Sequence, residues 1–368
     1  MSFGRHVVVV MVVSAAAVLL GSLAVADGLF GSLVEKVEVD RYQAIETALV
    51  DRLEEAQNKA LARATMVAAL PSVQALVAAQ DRTGLQAELA ELYQSAHDRG
   101  GVAQAQFHVP PATSLLRLHA PERFGDDLSK FRPMVVDVNQ DHETRKGLSI
   151  AVAGPAIFGI TPVHDAAGAH VGSFEIGLDV ADALDALKAR FEVDAAIWLD
   201  EKTLRDVATG APPGSLSEDK RVGRFLRWHS THDERTAGLV SDADLDGGAH
   251  RYVREVQGVA YGVALVPVTN YAGKPLGVAM VAADFSSSRG ARLRTRVWLG
   301  LVGLVGSTVL AGIVSVGIRG FVLRPLGSVA ATLKAVADGD RSKGLETDGL
   351  CAEFEPVAAE IERLRSRP

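Results

Sequence analysis

The stretch PVHDAAGAHVGSFEIGLD, residues 162–179, returns as PVTNYAGKPLGVAMVAAD at residues 267–284. Pro162-Val163 matches Pro267-Val268, Gly168 matches Gly273, Val171-Gly172 matches Leu276-Gly277, and Asp179 matches Asp284, each pair 105 residues apart. One shared offset across these five identical residues points to two copies of one module. In each copy extended apolar runs flank a short turn that contains Gly, the pattern of a hairpin. The closing aspartate of each copy is placed to cap a following helix, because its carboxylate accepts from N–H groups left unpaired in the first turn.

Working outward from the first copy, Val102 to Val109, Ser114 to His119, Leu148 to Val152, Ala156 to Val163 and Val171 to Leu178 read as strands. Phe124 to Asn139 reads as a loop and then a helix, with Leu128, Phe131, Val135 and Val138 on one face. Upstream, residues 28–70 read as one long stalk helix: Ile45, Leu49 and Leu53 recur every four residues, and Ala56, Ala60, Ala64 and Ala68 continue nearby. Pro71 restarts the helix, and Gly84 marks a further break. In the second copy Asp194 to Leu199 and Tyr252 to Val268 look extended, while 201–250 is polar and without a pattern. The expected class is α+β.

Two uncharged apolar runs bracket this region, Val7 to Ala26 (20 residues) and Val297 to Ile318 (22 residues), and 270 residues of ordinary globular composition lie between them. About 20 apolar residues in a helix cross the hydrocarbon core of a bilayer. The first run also reads as a cleaved signal peptide, with Arg5-His6 as its basic start and Ala24-Val25-Ala26 before Asp27 as its cleavage site. Its length exceeds the usual apolar core of such peptides and favours a retained anchor. Both readings export residues 27–296. In the second run Gly303, Ser307, Ala311 and Ser315 form a small-residue stripe that lets another helix approach. Arg5, Arg319 and Arg324 fit cytoplasmic ends, whereas Arg289, Arg292, Arg294 and Arg296 run against that bias, which the first segment usually dominates.

Beyond Arg319, Leu326, Val329, Leu333 and Val336 are spaced 3, 4, 3, as are Phe354, Val357, Ile361 and Leu364. Both are short heptad seams, joined by a polar connector from Asp338 to Gly349, and a dimeric four-helix bundle is the natural way to bury them. The alternative is a pair of amphipathic helices lying on the membrane. The net charge of −7 carries no basic excess for nucleic acid. Cys351 is the one cysteine, so no disulfide and no thiolate metal site serves the outer region. No nucleophile elbow, zinc-protease helix or phosphate loop is present, and no catalytic, cofactor or metal residue is expected. His229 and His232 are three apart, but no carboxylate–histidine cluster of standard spacing surrounds them, so a solvated loop is the expectation there.

Arg324-Pro325-Leu326 and Glu353-Phe354 resemble the opening residues of the two helices of a HAMP domain, the parallel helical relay below membrane helices in bacterial receptors. The block from Gln106 through Pro110-Pro111, Leu116-Arg117-Leu118-His119 and Pro121-Glu122-Arg123-Phe124-Gly125-Asp126-Asp127-Leu128, continued by Phe131-Arg132 and Val135-Val136, resembles a double Cache sensor domain. That resemblance implies a long stalk helix with two PAS-like modules. It also implies a receptor of the kind found in chemotaxis, histidine kinases or diguanylate cyclases. The expected domains are a membrane helix or signal peptide at 7–26, a stalk and membrane-distal module at 28–182, a membrane-proximal module at 183–288, a membrane helix at 297–318 and a HAMP-like relay at 319–368.

A PAS-like module holds small molecules between its sheet and a lid, with a few polar groups fixing their orientation. Arg117 and His119 alternate along a strand and so share one face. Arg suits a carboxylate because its planar fork offers paired donors. Phe107 and His108 sit on the preceding strand, and Asp126 and Asp127 begin the covering helix. These six are the candidate ligand residues, for a small anionic metabolite. The competing reading is structural: Arg117 pairs with Asp126 or Asp127 and pins the lid. The expected function is a homodimeric receptor in a bacterial inner membrane, with residues 27–296 periplasmic and the C-terminus cytoplasmic. It carries a relay without its own output domain, so it acts through a separate cytoplasmic protein or as part of a longer chain. The rival class is a membrane-anchored scaffold or adhesion protein that binds a protein partner and no small molecule.

Overall fold

From Phe3 to Ala68 the sequence holds no proline, and the chain is one uninterrupted α-helix, α1 (Phe3–Ala68). It continues through Asp27-Gly28, where the sequence reading separates an apolar segment from a stalk. This is a computed structural model, and it describes residues 3–245, 250–340, 342, 344 and 355–366. Leu70, before Pro71, is held in the extended region, which ends α1 and lets Pro71 open α2 (Pro71–Ala78). The next break falls at Ala79–Asp81 and not at Gly84, which lies inside α3 (Arg82–Gly100). The Asp81 carboxylate accepts from the Gly84 N–H at 2.9 Å, so Gly84 belongs to a capped first turn.

The first sheet is built from β1 (Val102–Val109), β2 (Thr113–Arg117), β3 (Arg145–Ala151), β4 (Gly154–His164) and β5 (His170–Asp179) in the order β2-β1-β5-β4-β3, antiparallel throughout. Between β2 and β3 lies a short helix, α4 (Pro133–Asp141). It starts later than the sequence pattern suggests, so Phe124–Arg132 is a covering loop and Phe131 is largely exposed while Leu128, Val135 and Val138 are buried. One face of the sheet carries Ala105, Phe107, Phe174 and Ile176 and packs with Ala60, Ala64, Val73, Val77, Leu85 and Leu89 of the helices. Alanine every fourth residue keeps that side of α1 flat. Gly159 of β4 meets it, and a Cβ there would fall inside the backbone of Ala60 and Leu61. The opposite face carries Gln104, Gln106 and His108 of β1, with Ser173 and Glu175 of β5 beside His108 and Gln106.

After α5 (Val180–Phe191) the second sheet contains β6 (Asp194–Asp200), β7 (Arg221–Val222), β8 (Phe225–Ser230), β9 (His250–Val256), β10 (Val259–Thr269) and β11 (Pro275–Asp284), in the order β7-β8-β6-β11-β10-β9. Two small helices, α6 (Glu201–Val207) and α7 (Asp233–Leu239), lie in the polar region that showed no pattern. Tyr252 to Val268 is two strands and not one: Gln257 and Gly258, both with positive φ, turn the chain between them. His229 and His232 are not in a solvated loop. His229 is the penultimate residue of β8 and contacts Asp185 at 3.0 Å, and His232 caps α7.

The 105-residue repeat is a structural repeat. Asp165 and Asn270 each accept two backbone N–H bonds within their turns, Asp165 Oδ1 from Ala167 and Ala169, Asn270 Oδ1 from Ala272 and Lys274. Gly168 and Gly273 take φ of +83° and +76°, a region where a Cβ is disfavoured. Asp179 caps α5 through the Ala181 N–H at 2.8 Å, and Asp284 accepts from Ser286 at 2.7 Å at the start of α8 (Ser286–Ile318).

By its contacts the chain divides into Lys36–Ser287 and a second unit of Met1–Glu35 with Ser288–Pro368. In the second unit, Leu19 and Leu23 of α1 face Gly306 and Gly303 of α8, and Arg296 pairs with Asp27 at 3.0 Å. Gly303 belongs to the anticipated stripe, but Ser315 is exposed and Ile318 is buried. A helix of 3.6 residues per turn rotates a strict four-residue stripe away from its partner. A π-helical turn (Arg319–Leu323) leads into α9 (Arg324–Ala337), and α10 is Glu355–Ser366. Val329 and Thr332 are buried, as are Ala358 and Ile361, whereas Leu326, Leu333 and Val357 stay exposed. Glu353-Phe354 and most of the connector lie outside the described residues.

Candidate functional site

Alternation along β1 decides which predicted residues meet. Phe107 is fully buried on the helix side, its ring stacked on Phe174 with centroids 4.2 Å apart, so it is a core residue and does not face the lid. Gln104, Gln106 and His108 take the other face. Over it passes the loop that follows β2, stitched down by backbone bonds from Ser114 to Asp126, Gly125 to Ser114 and Leu128 to Ala112. Arg117 ends β2 and is buried. Its guanidinium donates to both Asp126 oxygens at 2.8 Å and to the Arg123 carbonyl at 2.7 Å. This fork holds the Asp126 carboxyl below the usual carboxylate range. The geometry is the one in which Arg117 pins the covering loop. Asp127 lies on that loop, exposed, and accepts from the Ser129 N–H.

Behind the loop is a small cavity of about 40 Å³ whose lining includes Gln104, Gln106, Arg117, His119, Arg123 and Arg132. His119 lies just beyond β2, with Nδ1 beside the Ala105 backbone, and burial lowers its pKa to about 4. Arg132, at the start of α4, is almost fully buried and ion-paired with Glu175, itself buried, while its guanidinium lies over the Phe158 ring at 4.2 Å. Burial pushes the Glu175 carboxyl up and the Arg132 guanidinium down, and each charge opposes the shift in the other. His108 is fully buried beneath them, 3.8 Å from Glu175, and burial followed by Arg132 and Arg117 lowers its pKa. Arg132 Nε and His108 Nε2 are buried without a hydrogen-bond partner.

The structure therefore gathers Arg117 and His119 around one cavity, with His108 beneath, and leaves Phe107 and Asp127 outside it. Gln104, Gln106, Arg132 and Glu175 escaped the sequence reading. The signal for Glu175 was present: a lone carboxylate in the apolar strand VGSFEIGL, at alternate spacing from Ser173 and Gly177. Its partner Arg132 lies 43 residues away, and only the fold supplies that pairing.

A long helix carrying two antiparallel sheets, one with a polar face roofed by a loop and a short helix, defines a tandem-module sensory domain. Residues 35–288 match the dCache_3 family, described as the double sensory domain of two-component sensor kinase, and the chain belongs to that family. Among solved structures it is similar to the ligand-binding domain of the Campylobacter jejuni chemoreceptor Tlp3 in complex with 4-methylisoleucine, with 11% identity over 71% of this chain and 94% of that one and a TM-score of 0.43. It is also similar to an extracellular ligand binding receptor from Desulfohalobium retbaense (14% identity, 65% and 40% covered, TM-score 0.35). A third similar structure is the Escherichia coli DcuS sensor domain (21% identity, 36% and 94% covered, TM-score 0.29). A comparison with curated proteins finds no match.

Proposed function

We propose that the chain is a transmembrane receptor in a bacterial inner membrane. Its sensory region binds a small anionic ligand on the polar face of the first sheet, and a HAMP-like relay passes the signal to a cytoplasmic partner. The observation that carries the ligand class is the lining of the lidded cavity, which presents three guanidiniums, two amides and an imidazole and no carboxylate. Arg117 and Arg132 have carboxylate partners in Asp126 and Glu175, but Arg132 Nε and, beneath the cavity, His108 Nε2 are buried without a hydrogen-bond partner among the described residues, which favours a ligand that brings acceptors. At about 40 Å³ the cavity holds roughly one water, so binding a metabolite requires the loop pinned by Arg117 and Asp126 to lift.

The membrane reading is supported by two helices long and apolar enough to cross, with mean hydropathy of 2.5 and 2.2 in their most apolar windows, hardly any of which is buried. A core helix of a soluble protein would be buried. The exposed Leu326, Leu333 and Val357 suit a second copy, which makes the relay a homodimer. A route from site to relay runs along the repeat. Tyr271, on the β10–β11 turn, donates to Asp137 of α4 at 2.6 Å, and β11 ends at Asp284, which accepts from the Ser286 N–H at the start of α8. Movement of α4 therefore bears on a strand that leads directly into α8.

The test is thermal unfolding of the full chain in lipid nanodiscs against a panel of small mono- and dicarboxylates. At least one raises the midpoint, and Arg117→Ala or Gln106→Ala weakens its binding by about tenfold. A panel in which no anion acts removes this reading in favour of the protein-binding scaffold.

A further inference from the structure

On the other face of the same sheet lies a second and larger cavity, of about 250 Å³, lined by α1, α3, β1 and β5 and partly open to solvent. Val67, Leu89, Ala96, Ala105, Phe174 and Ile176 supply apolar walls, and Met66 and Leu92, both more than half exposed, are also among its lining residues. The lining includes one charged side chain, Arg63 of α1. Arg63 Nη1 donates to the Gly100 carbonyl at 2.8 Å, and the guanidinium packs so closely on Gly100 that a Cβ there would lie 3.1 Å from two of its nitrogens. Among the described residues no carboxylate pairs with it, and burial lowers its pKa from the ordinary arginine value. Tyr93 also lines the cavity, its hydroxyl tied to the Ala103 carbonyl at 3.3 Å.

An apolar cavity of about 150 Å³ accepts benzene, so this one has room for a body of roughly six to ten carbon atoms. A planar guanidinium with free N–H groups and no counter-charge selects a carboxylate to go with that body. We propose that this cavity is a second ligand site, taking a small monocarboxylic acid with an apolar tail whose carboxylate meets Arg63. It is separate from the lidded polar face, with which it shares only the strands between them, and its occupant touches α1 directly.

The probe is hexanoate, titrated calorimetrically into the full chain in lipid nanodiscs, with empty nanodiscs as the blank and hexan-1-ol as the uncharged analogue. Saturable binding of hexanoate above the blank is expected. Arg63→Gln weakens hexanoate by about tenfold and leaves hexan-1-ol unchanged, because only the charge-assisted pair is lost. Ala96→Phe fills the cavity and abolishes both. Should Ala96→Phe fail to fold by circular dichroism, the Arg63→Gln comparison of the two probes decides. No saturable binding, equal affinity in Arg63→Gln, or retention in a folded Ala96→Phe overturns the proposal. So does loss of hexanoate binding in Arg117→Ala with none in Arg63→Gln, which places the probe on the lidded face.

Discussion

The buried Arg132–Glu175 pair is the least expendable polar contact of the first sheet. Two charges removed from water are tolerable only together, and removing one leaves the other uncompensated. Glu175→Ala is expected to destabilise the chain by about 3–5 kcal/mol, read from urea unfolding by tryptophan fluorescence, whereas Arg132→Met with Glu175→Leu recovers most of that loss. His119 gives a pH prediction. Its folded pKa of about 4 lies below the ordinary 6.5, so between these values the unfolded chain binds the extra proton. The stability it contributes is complete above pH 6.5 and is lost as the pH falls towards 4. Lowering the pH from 7 to 4.5 lowers the unfolding midpoint of the wild type, and His119→Gln shows a shallower decline.

At the scale of elements, the two hairpins and the α1–β4 contact obey different constraints. The turn glycines need their backbone conformation: Gly168→Ala places a Cβ in the left-handed region and costs about 1–2 kcal/mol. Gly159 needs space instead, because its strand rests on the α1 backbone. Gly159→Ala forces the sheet off the helix and costs more than Gly168→Ala, about 3 kcal/mol. Unfolding of both variants side by side checks the order. The hairpins were legible in sequence because local turn chemistry makes them, whereas the equivalence of Asp165 and Asn270 comes from the hydrogen bonds of the folded turns. The Gln257-Gly258 turn leaves a weaker mark, because Arg254, Glu255 and Gln257 are interspersed with Tyr252, Val253, Val256 and Val259 and the extended pattern resumes at once beyond Gly258.

At the scale of the molecule, the receptor reading places the sensory region and Cys351 on opposite sides of a membrane. Cys351 is the sole cysteine, which makes the test simple. In cells with a permeabilised outer membrane, an impermeant maleimide is expected to spare native Cys351. It should label Ala166→Cys, at the exposed first hairpin tip, in a Cys351→Ser background. Labelling of Cys351 in intact cells would reverse the topology.

What depends on neighbours in the chain is readable from residue order: the long helix, the repeated hairpins with their glycines, the apolar segments and the α+β class. Period and turn chemistry are local properties, and they survive without knowledge of the fold. The tertiary structure alone decided which side chains share a cavity. Phe107 and His108 are adjacent in sequence yet lie on opposite faces of one sheet, and Arg132 meets Glu175 only because β5 pairs with β1 beneath the lid. Burial and partnership arise from pairings across tens of residues. In sequence Arg117 reads either as a ligand hook or as the pin of the lid, and the fold gives its donors to Asp126 and the Arg123 carbonyl.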